Sequence, residues 1–85
     1  MKEFVYKITD SVGIHARPAG ELVKKASEFR SDIKIKKGEK VADAKKIFSV
    51  MTLGAVQGDE ITVVVEGADE ESAFEEIKTF FEETL

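Results

Sequence analysis

Near the start of the chain large apolar residues alternate with other residues, and this pattern predicts a β-strand. The first strand is Phe4–Ile8, and the β-branched run Ile61–Val65 predicts a central strand. Between them, the segment around Lys37-Gly38 predicts two short strands joined by a hairpin turn, with apolar positions at Ile33, Ile35 and Val41.

Apolar residues three and four positions apart predict three helices. The first helix is expected from about Ala16 to Phe29, with Pro18 in its first turn, where a missing N–H costs nothing. Its apolar face comprises Ala19, Leu22, Val23, Ala26 and Phe29.

The second helix is short and the third is long. Ile47, Val50 and Met51 mark the short helix, which Gly54 closes. The long helix begins after Asp69, a residue type that favours the N-cap, and two glutamates in its first turn suit the helix dipole. Its apolar stripe comprises Ala73, Phe74, Ile77, Phe80 and Phe81.

The predicted order of elements is strand, helix, strand, strand, short helix, strand, helix, with a loop at Thr9–Ile14. This order favours the α+β class, with an antiparallel sheet that carries helices on one face. A chain of 85 residues supports one core, so residues 1–85 are expected to form a single domain.

Charge and composition count against several classes of function. The net charge of −4 opposes nucleic-acid binding. The absence of cysteine excludes disulfides and thiolate metal sites, and a single histidine provides no metal-ligand cluster. No apolar run approaches the ~20 residues that span a bilayer, and no signal peptide is visible, so a soluble cytoplasmic protein is expected.

The charges are unevenly distributed. The segment Asp59–Leu85 is acidic, with Lys78 as its only cation. Basic residues lie in the first half and the middle of the chain, at Lys24, Lys25, Lys45 and Lys46. One pole of the molecule is therefore expected to be basic and to meet an acidic partner, although any single lysine is more simply a solvated charge.

The residues around the only histidine suggest a phosphate site. His15 stands just before the first predicted helix, whose first N–H groups have no intrahelical acceptor and carry a partial positive charge. The N–H groups of Ala16 and Arg17 and the planar Arg17 side chain can hold phosphate oxygens. Pro18 fixes the start of the helix, and Gly13 lets the preceding loop turn sharply.

A neutral imidazole is a nucleophile near neutral pH, so His15 is a candidate to form phosphohistidine. A lone histidine at a helix start is also an ordinary cap or surface residue, and a lone arginine is an ordinary solvated charge. From these residues alone, a phosphate site and an ordinary helix start are about equally well supported as interpretations of this segment.

Three motifs resemble those of the HPr family: Gly13–Ala19, Lys45–Gly54 and Gly67–Glu70. The resemblance covers the whole chain and implies an open-faced β-sandwich with the order βαββαβα. It also implies a phosphocarrier of the bacterial phosphoenolpyruvate:sugar phosphotransferase system rather than a stand-alone enzyme, with no cofactor. In such a carrier, His15 accepts a phosphoryl group on Nδ1 from enzyme I and donates it to the IIA domains of sugar permeases. Arg17 matches the residue that contacts the phosphoryl group.

The resemblance also implies a docking surface around the histidine, on the first two helices. The matching positions are Val12, Ala16, Gly20, Ile47, Phe48, Met51 and Thr52, with Lys24 and Lys46 as basic neighbours. Phe48 is the best candidate for an exposed anchor. The alternative for Ile47 and Met51 is a place in the core, and Val50 and Leu53 are expected there.

One position departs from the family pattern. Many Gram-positive members carry a regulatory serine at the start of the second helix, where this chain has Lys46, which cannot accept that modification. The resemblance therefore does not extend to a serine-directed kinase, and Ser49 is a weak substitute.

A non-transferring regulatory module with the same fold is the main alternative function, and a small RNA-binding domain is a weaker one. A monomer is expected.

Overall fold

The computed structural model describes residues 1–85 and contains four strands and three helices in the predicted order. The strands are β1 (Lys2–Lys7), β2 (Asp32–Lys37), β3 (Lys40–Asp43) and β4 (Glu60–Glu66). The helices are α1 (Ala16–Ala26), α2 (Ile47–Thr52) and α3 (Glu70–Thr84). The expected α+β class and the βαββαβα order are thereby confirmed.

The strands form one antiparallel sheet in the order β1-β4-β2-β3. β4 lies inside the sheet, with Val63 opposite Phe4 of β1 and Ile35 of β2. Because side chains alternate between the two faces of a strand, these three residues point to the same side and are buried together. The opposite face is open and carries charged and exposed apolar residues.

The helices cover the inner face of the sheet and complete one hydrophobic cluster. Their buried residues include Leu22 of α1, Val50 of α2, and Ile77 and Phe81 of α3. These apolar positions recur at helical spacing, so each helix presents one stripe to the sheet. Ala19 and Leu22 of α1 belong to this cluster, which packs the helix that follows the histidine against the sheet.

Helix α1 ends at Ala26, three residues before the predicted end at Phe29. Beyond Ala26 the N–H groups of Glu28 and Phe29 donate to acceptors three residues back, which is a tightened turn. The ammonium of Lys45 donates to the Phe29 carbonyl at 2.8 Å and takes the place of an intrahelical partner. Phe29 nevertheless packs against the core, which explains why its apolar character fitted the helical pattern.

Asp69 occupies the predicted N-cap of α3, but its side chain makes no capping hydrogen bond. Its carboxylate instead accepts hydrogen bonds from the backbone N–H groups of Arg30 and Ser31, both at 2.9 Å, and from the Ser31 hydroxyl at 2.5 Å. Chiefly through the hydroxyl and Arg30 bonds, these contacts lower the pKa of Asp69 to about 2. The residue therefore joins α3 to the chain between α1 and β2.

The β2–β3 hairpin turns at Gly38-Glu39, because Lys37 pairs with Lys40. Gly38 takes a φ of +59°, which suits glycine at the first central position of a two-residue turn. No helix of the fold has the length and apolarity needed to cross a membrane.

Candidate functional site

His15 is the N-cap residue of α1, and its side chain makes no capping hydrogen bond. Its backbone is extended, with φ −117° and ψ −174°, and its carbonyl accepts the Ala19 N–H at 2.9 Å. The N–H groups of Ala16 and Arg17 donate to no backbone acceptor. The imidazole is half-buried and lies beside the positive end of a helix with two free donors.

The loop before His15 is held by hydrogen bonds to its own residues and to a neighbouring loop. The Asp10 carboxylate accepts the N–H groups of Val12 and Gly13, which closes a turn. The Ile14 N–H donates to the Ala55 carbonyl at 2.9 Å. Gly13 has a φ of +80° and lies so close to Ala55 and Val56 that a Cβ atom would collide with their backbone. The nucleophile candidate therefore follows a tightly fixed segment.

His15 and Arg17 line one open cleft of about 350 Å³, together with Pro18. Arg17 is exposed and takes part in none of the ion pairs of the protein, so its guanidinium is available to an anion. The rest of the cleft is lined by carboxylates and a hydroxyl, from Asp10, Glu21, Glu83 and Thr84. The cleft thus combines a cationic side with an acidic rim.

Four exposed apolar residues lie in the loop before α1 and on α2. We use apolar patch for Val12, Ile47, Phe48 and Met51, whose exposed fractions run from 37% for Ile47 to 80% for Phe48. Gly20 belongs beside it, since a Cβ at Gly20 would lie 3.8 Å from the Ile47 side chain. Val50 and Leu53 are buried, as expected. The short helix therefore divides its apolar residues between the core and the solvent.

The predicted basic residues differ in their surroundings. Lys24 and Lys46 are exposed, and Lys46 is the N-cap of α2. Lys45 is half-buried, and its ammonium is held by a hydrogen bond to the Phe29 carbonyl. Lys25 lies 3.4 Å from Glu76 of α3. Of the four lysines expected to form a basic pole, Lys24 and Lys46 are exposed, whereas Lys25 and Lys45 have partners within the protein.

The two hydroxyl residues of α2 both have partners. The Ser49 hydroxyl oxygen accepts the Asp43 N–H at 2.9 Å and joins α2 to β3. The exposed Thr52 hydroxyl donates to the Ser49 carbonyl at 3.0 Å. The Ser49 hydroxyl thus helps to hold α2 in place. This contact gives no support to the idea that Ser49 replaces the regulatory serine whose position is occupied by Lys46.

The sequence did not point to several residues of the site. Asp10 and Glu83 lie far apart in the sequence but share the cleft. Val56, an exposed apolar residue, lies against Gly13. No periodic pattern marks a valine in a loop, and only its position shortly after the second motif could have drawn attention to it.

Comparisons with known proteins cover almost the whole chain. The family model described as "PTS HPr component phosphorylation site" matches residues 2–83. The phosphocarrier protein HPr of Lysinibacillus sphaericus is 46% identical over 83 residues, which cover 98% of this chain and 94% of the relative. A histidine-containing phosphocarrier protein from Mycoplasma has a TM-score of 0.94 at 42% identity, covering 98% and 94% of the two chains. HPr of Thermoanaerobacter tengcongensis has a TM-score of 0.91 at 40% identity, covering 96% and 92%.

Proposed function

This chain belongs to the HPr family of phosphocarrier proteins of the phosphotransferase system, and we propose that His15 is its phosphorylated residue. In our proposal, His15 accepts a phosphoryl group from phosphorylated enzyme I and donates it to the IIA domains of sugar permeases. The observation that carries the proposal is the half-buried imidazole at the N-cap of α1, beside two free N–H donors and an unpaired arginine.

The proposed transfer makes one bond to phosphorus and breaks one. The lone pair of Nδ1 of the neutral His15 ring attacks phosphorus, and the bond between phosphorus and the donor breaks, so that the donor keeps the electron pair. Phosphoryl transfer depends on positioning and on stabilising the charge of the phosphoryl oxygens. In the second transfer a nucleophilic atom of the acceptor attacks phosphorus, and the bond between phosphorus and Nδ1 breaks, so that Nδ1 keeps the electron pair.

The residues that follow His15 supply that stabilisation in our proposal. The N–H groups of Ala16 and Arg17 donate to the phosphoryl oxygens, as free donors at a helix start do for anions. The Arg17 guanidinium binds two oxygens at once, and Pro18 keeps the first turn in place. The acidic rim of the cleft opposes the added negative charge, which favours passing the group on over retaining it.

The proposed partner surface is the apolar patch together with Gly20, Lys24, Lys46 and Thr52. Phe48 is its anchor, since a large exposed aromatic side chain loses much apolar area to a partner. Lys24 and Lys46 attract an acidic partner surface.

In this proposal the carrier needs no cofactor of its own, because the imidazole of His15 itself holds the phosphoryl group. The monomer expected from the sequence stays a prediction. One solved structure of HPr from Thermoanaerobacter tengcongensis, with a TM-score of 0.77 to this chain, is a dimer.

A reconstituted relay tests the proposal. Enzyme I, phosphoenolpyruvate, magnesium, this protein and a IIA domain are mixed, and phosphorylation of the IIA domain is followed with time. We expect phosphoryl flow to the IIA domain with the wild-type chain and none with His15→Ala. Arg17→Ala is expected to give slower flow. Equal flow with His15→Ala would refute the assignment of His15.

A further inference from the structure

The ammonium group of Lys37 connects the end of strand β2 to the loop that follows α2. It lies 2.9 Å from the Asp59 carboxylate and donates to the Gly54 carbonyl at 2.8 Å. The same Asp59 oxygen also accepts the Val56 N–H at 2.9 Å. One lysine and one aspartate thus fasten both ends of residues 54–59.

Both members of this pair are half-buried, so solvent screens their interaction less than that of a fully exposed pair. The hydrogen bonds from Val56 and Lys37 lower the pKa of Asp59, so the carboxylate stays charged at neutral pH. The pair is therefore intact under the conditions in which a phosphocarrier works.

The fastened loop lies directly against the segment that carries His15. The Ala55 carbonyl accepts the Ile14 N–H, and Gly13 packs against the backbone of Ala55 and Val56. On the other side, the N–H of Ile8 donates to the Asp59 carbonyl, and that of Gly58 donates to the Ile8 carbonyl. These contacts join the two loops, so a displacement of residues 54–59 would act on Ile14, the residue immediately before the nucleophile.

We propose that Lys37 and Asp59 are positioning residues for phosphoryl transfer: they hold residues 54–59 in place and thereby set the orientation of His15. The inference rests on the proposed function of His15. Neither residue lines the cleft of His15 and Arg17, so the effect passes through the loop and not through contact with the phosphoryl group.

The test uses the full chain and three variants. Lys37→Met keeps the length of the side chain and removes its charge and its hydrogen bonds, and Lys37→Arg retains both. Lys34→Met is the matched control, because Lys34 lies on the same strand and makes a 3.7 Å ion pair with Asp43 on the open face of the sheet. All variants are compared at one temperature at which each is folded by circular dichroism.

Two measurements are made on each variant. The backbone amide shifts of Gly13 and Ile14 are recorded by NMR without any partner, and the rate constant of transfer from phosphorylated enzyme I is measured at saturating concentrations. For Lys37→Met we expect shifted amides and a saturating rate lowered roughly fivefold, since small misplacements of reacting groups are costly. The concentration giving half-maximal rate is expected to stay within about twofold, because this loss acts after binding.

Lys34→Met is expected to match the wild type in both measurements, and Lys37→Arg to recover most of the rate. An unchanged saturating rate, unchanged amide shifts, or an effect confined to the half-saturating concentration would each overturn the proposal. A wild-type chain that takes up no phosphoryl group would refute the proposed function instead. The partner-free amide shifts would then decide alone whether Lys37 positions this segment.

Discussion

Gly13 shows how a single residue fixes the position of the site. Its φ of +80° is strained for other residues, and a Cβ would collide with the backbone of Ala55 and Val56. Gly13→Ala is therefore expected to lower the free energy of unfolding by about 1–3 kcal/mol or more, as measured by urea denaturation.

Gly38→Ala is the control for Gly13→Ala, since Gly38 also has a positive φ, of +59°, but has open space around it. An alanine at this position pays the conformational cost of a positive φ, but its Cβ collides with no other atom. Gly38→Ala should therefore lower the free energy of unfolding by less than Gly13→Ala. Equal losses for the two variants would show that the contact with Ala55 and Val56 contributes nothing.

At the residue scale, sequence patterns identified those residues of the site that are neighbours in the chain. His15, Ala16, Arg17 and Pro18 form one short run at a helix start, so their placement follows from local rules. Glu83, Lys37 and Val56 come from other elements, and no local pattern connects them to the histidine. Their positions depend on the packing of the whole sheet and its helices, which local sequence patterns do not reveal.

At the element scale, Asp69 joins α3 to the α1–β2 connection and makes the fold sensitive to acid. Its pKa is lowered from 3.8 to about 2 in the folded protein, so it contributes stability at neutral pH. That contribution is lost as the pH falls from about 4 towards 2, where the folded form also takes up the proton.

We expect Asp69→Asn to lower the melting temperature at neutral pH and to flatten its decline below pH 4, relative to the wild type. Thermal unfolding followed by circular dichroism between pH 7 and pH 2 measures both effects. Parallel curves for the two proteins, separated by a constant difference down to the lowest pH, would contradict this assignment to Asp69.

Helix α2 offers a paired test of docking against packing. Phe48 is 80% exposed and Val50 is fully buried on the same helix. Phe48→Ala is expected to change the free energy of unfolding by less than about 0.5 kcal/mol. It should weaken binding to enzyme I about tenfold or more, as measured by titration calorimetry.

Val50→Ala is expected to behave in the opposite way, with a loss of stability of about 1–3 kcal/mol and little change in binding by the folded protein. If Phe48→Ala bound enzyme I as tightly as the wild type, the exposed phenylalanine would not be the anchor of the partner surface.

The elements themselves were largely predictable, and their ends were not. Apolar periodicity, one β-branched run and one hairpin turn together predicted all four strands and three helices. The end of α1 was wrong because Phe29 fits the helical stripe but reaches the core from a turn. The hydrogen bonds that Lys45 and Asp69 make across the fold have no signature in local periodicity.

At the scale of the whole molecule, the charges are separated. Helix α3 is rich in glutamate, whereas Lys24 and Lys46 are exposed on the helices that carry the proposed partner surface. An uneven charge distribution of this kind accelerates association with an oppositely charged surface and is weakened by salt.

Lys46→Glu is therefore expected to slow association with enzyme I and to reduce its dependence on salt. Stopped-flow measurements at about 0.05 and 0.5 M salt bracket the range over which screening of surface charges changes most. Lys36→Glu, on the open face of the sheet, controls for the change of net charge. If the two variants had equal rates and equal salt dependence, Lys46 would have no specific role.

The central claim is that this chain carries one phosphoryl group on His15, and its intact mass tests that claim most directly. The protein is incubated with phosphoenolpyruvate, magnesium and purified enzyme I, beside a His15→Ala variant and a known HPr as a positive control. The account predicts a gain of one phosphoryl group that acid removes and that the variant lacks. An unchanged mass while the known HPr is phosphorylated, or an equal gain in the His15→Ala variant, would contradict it.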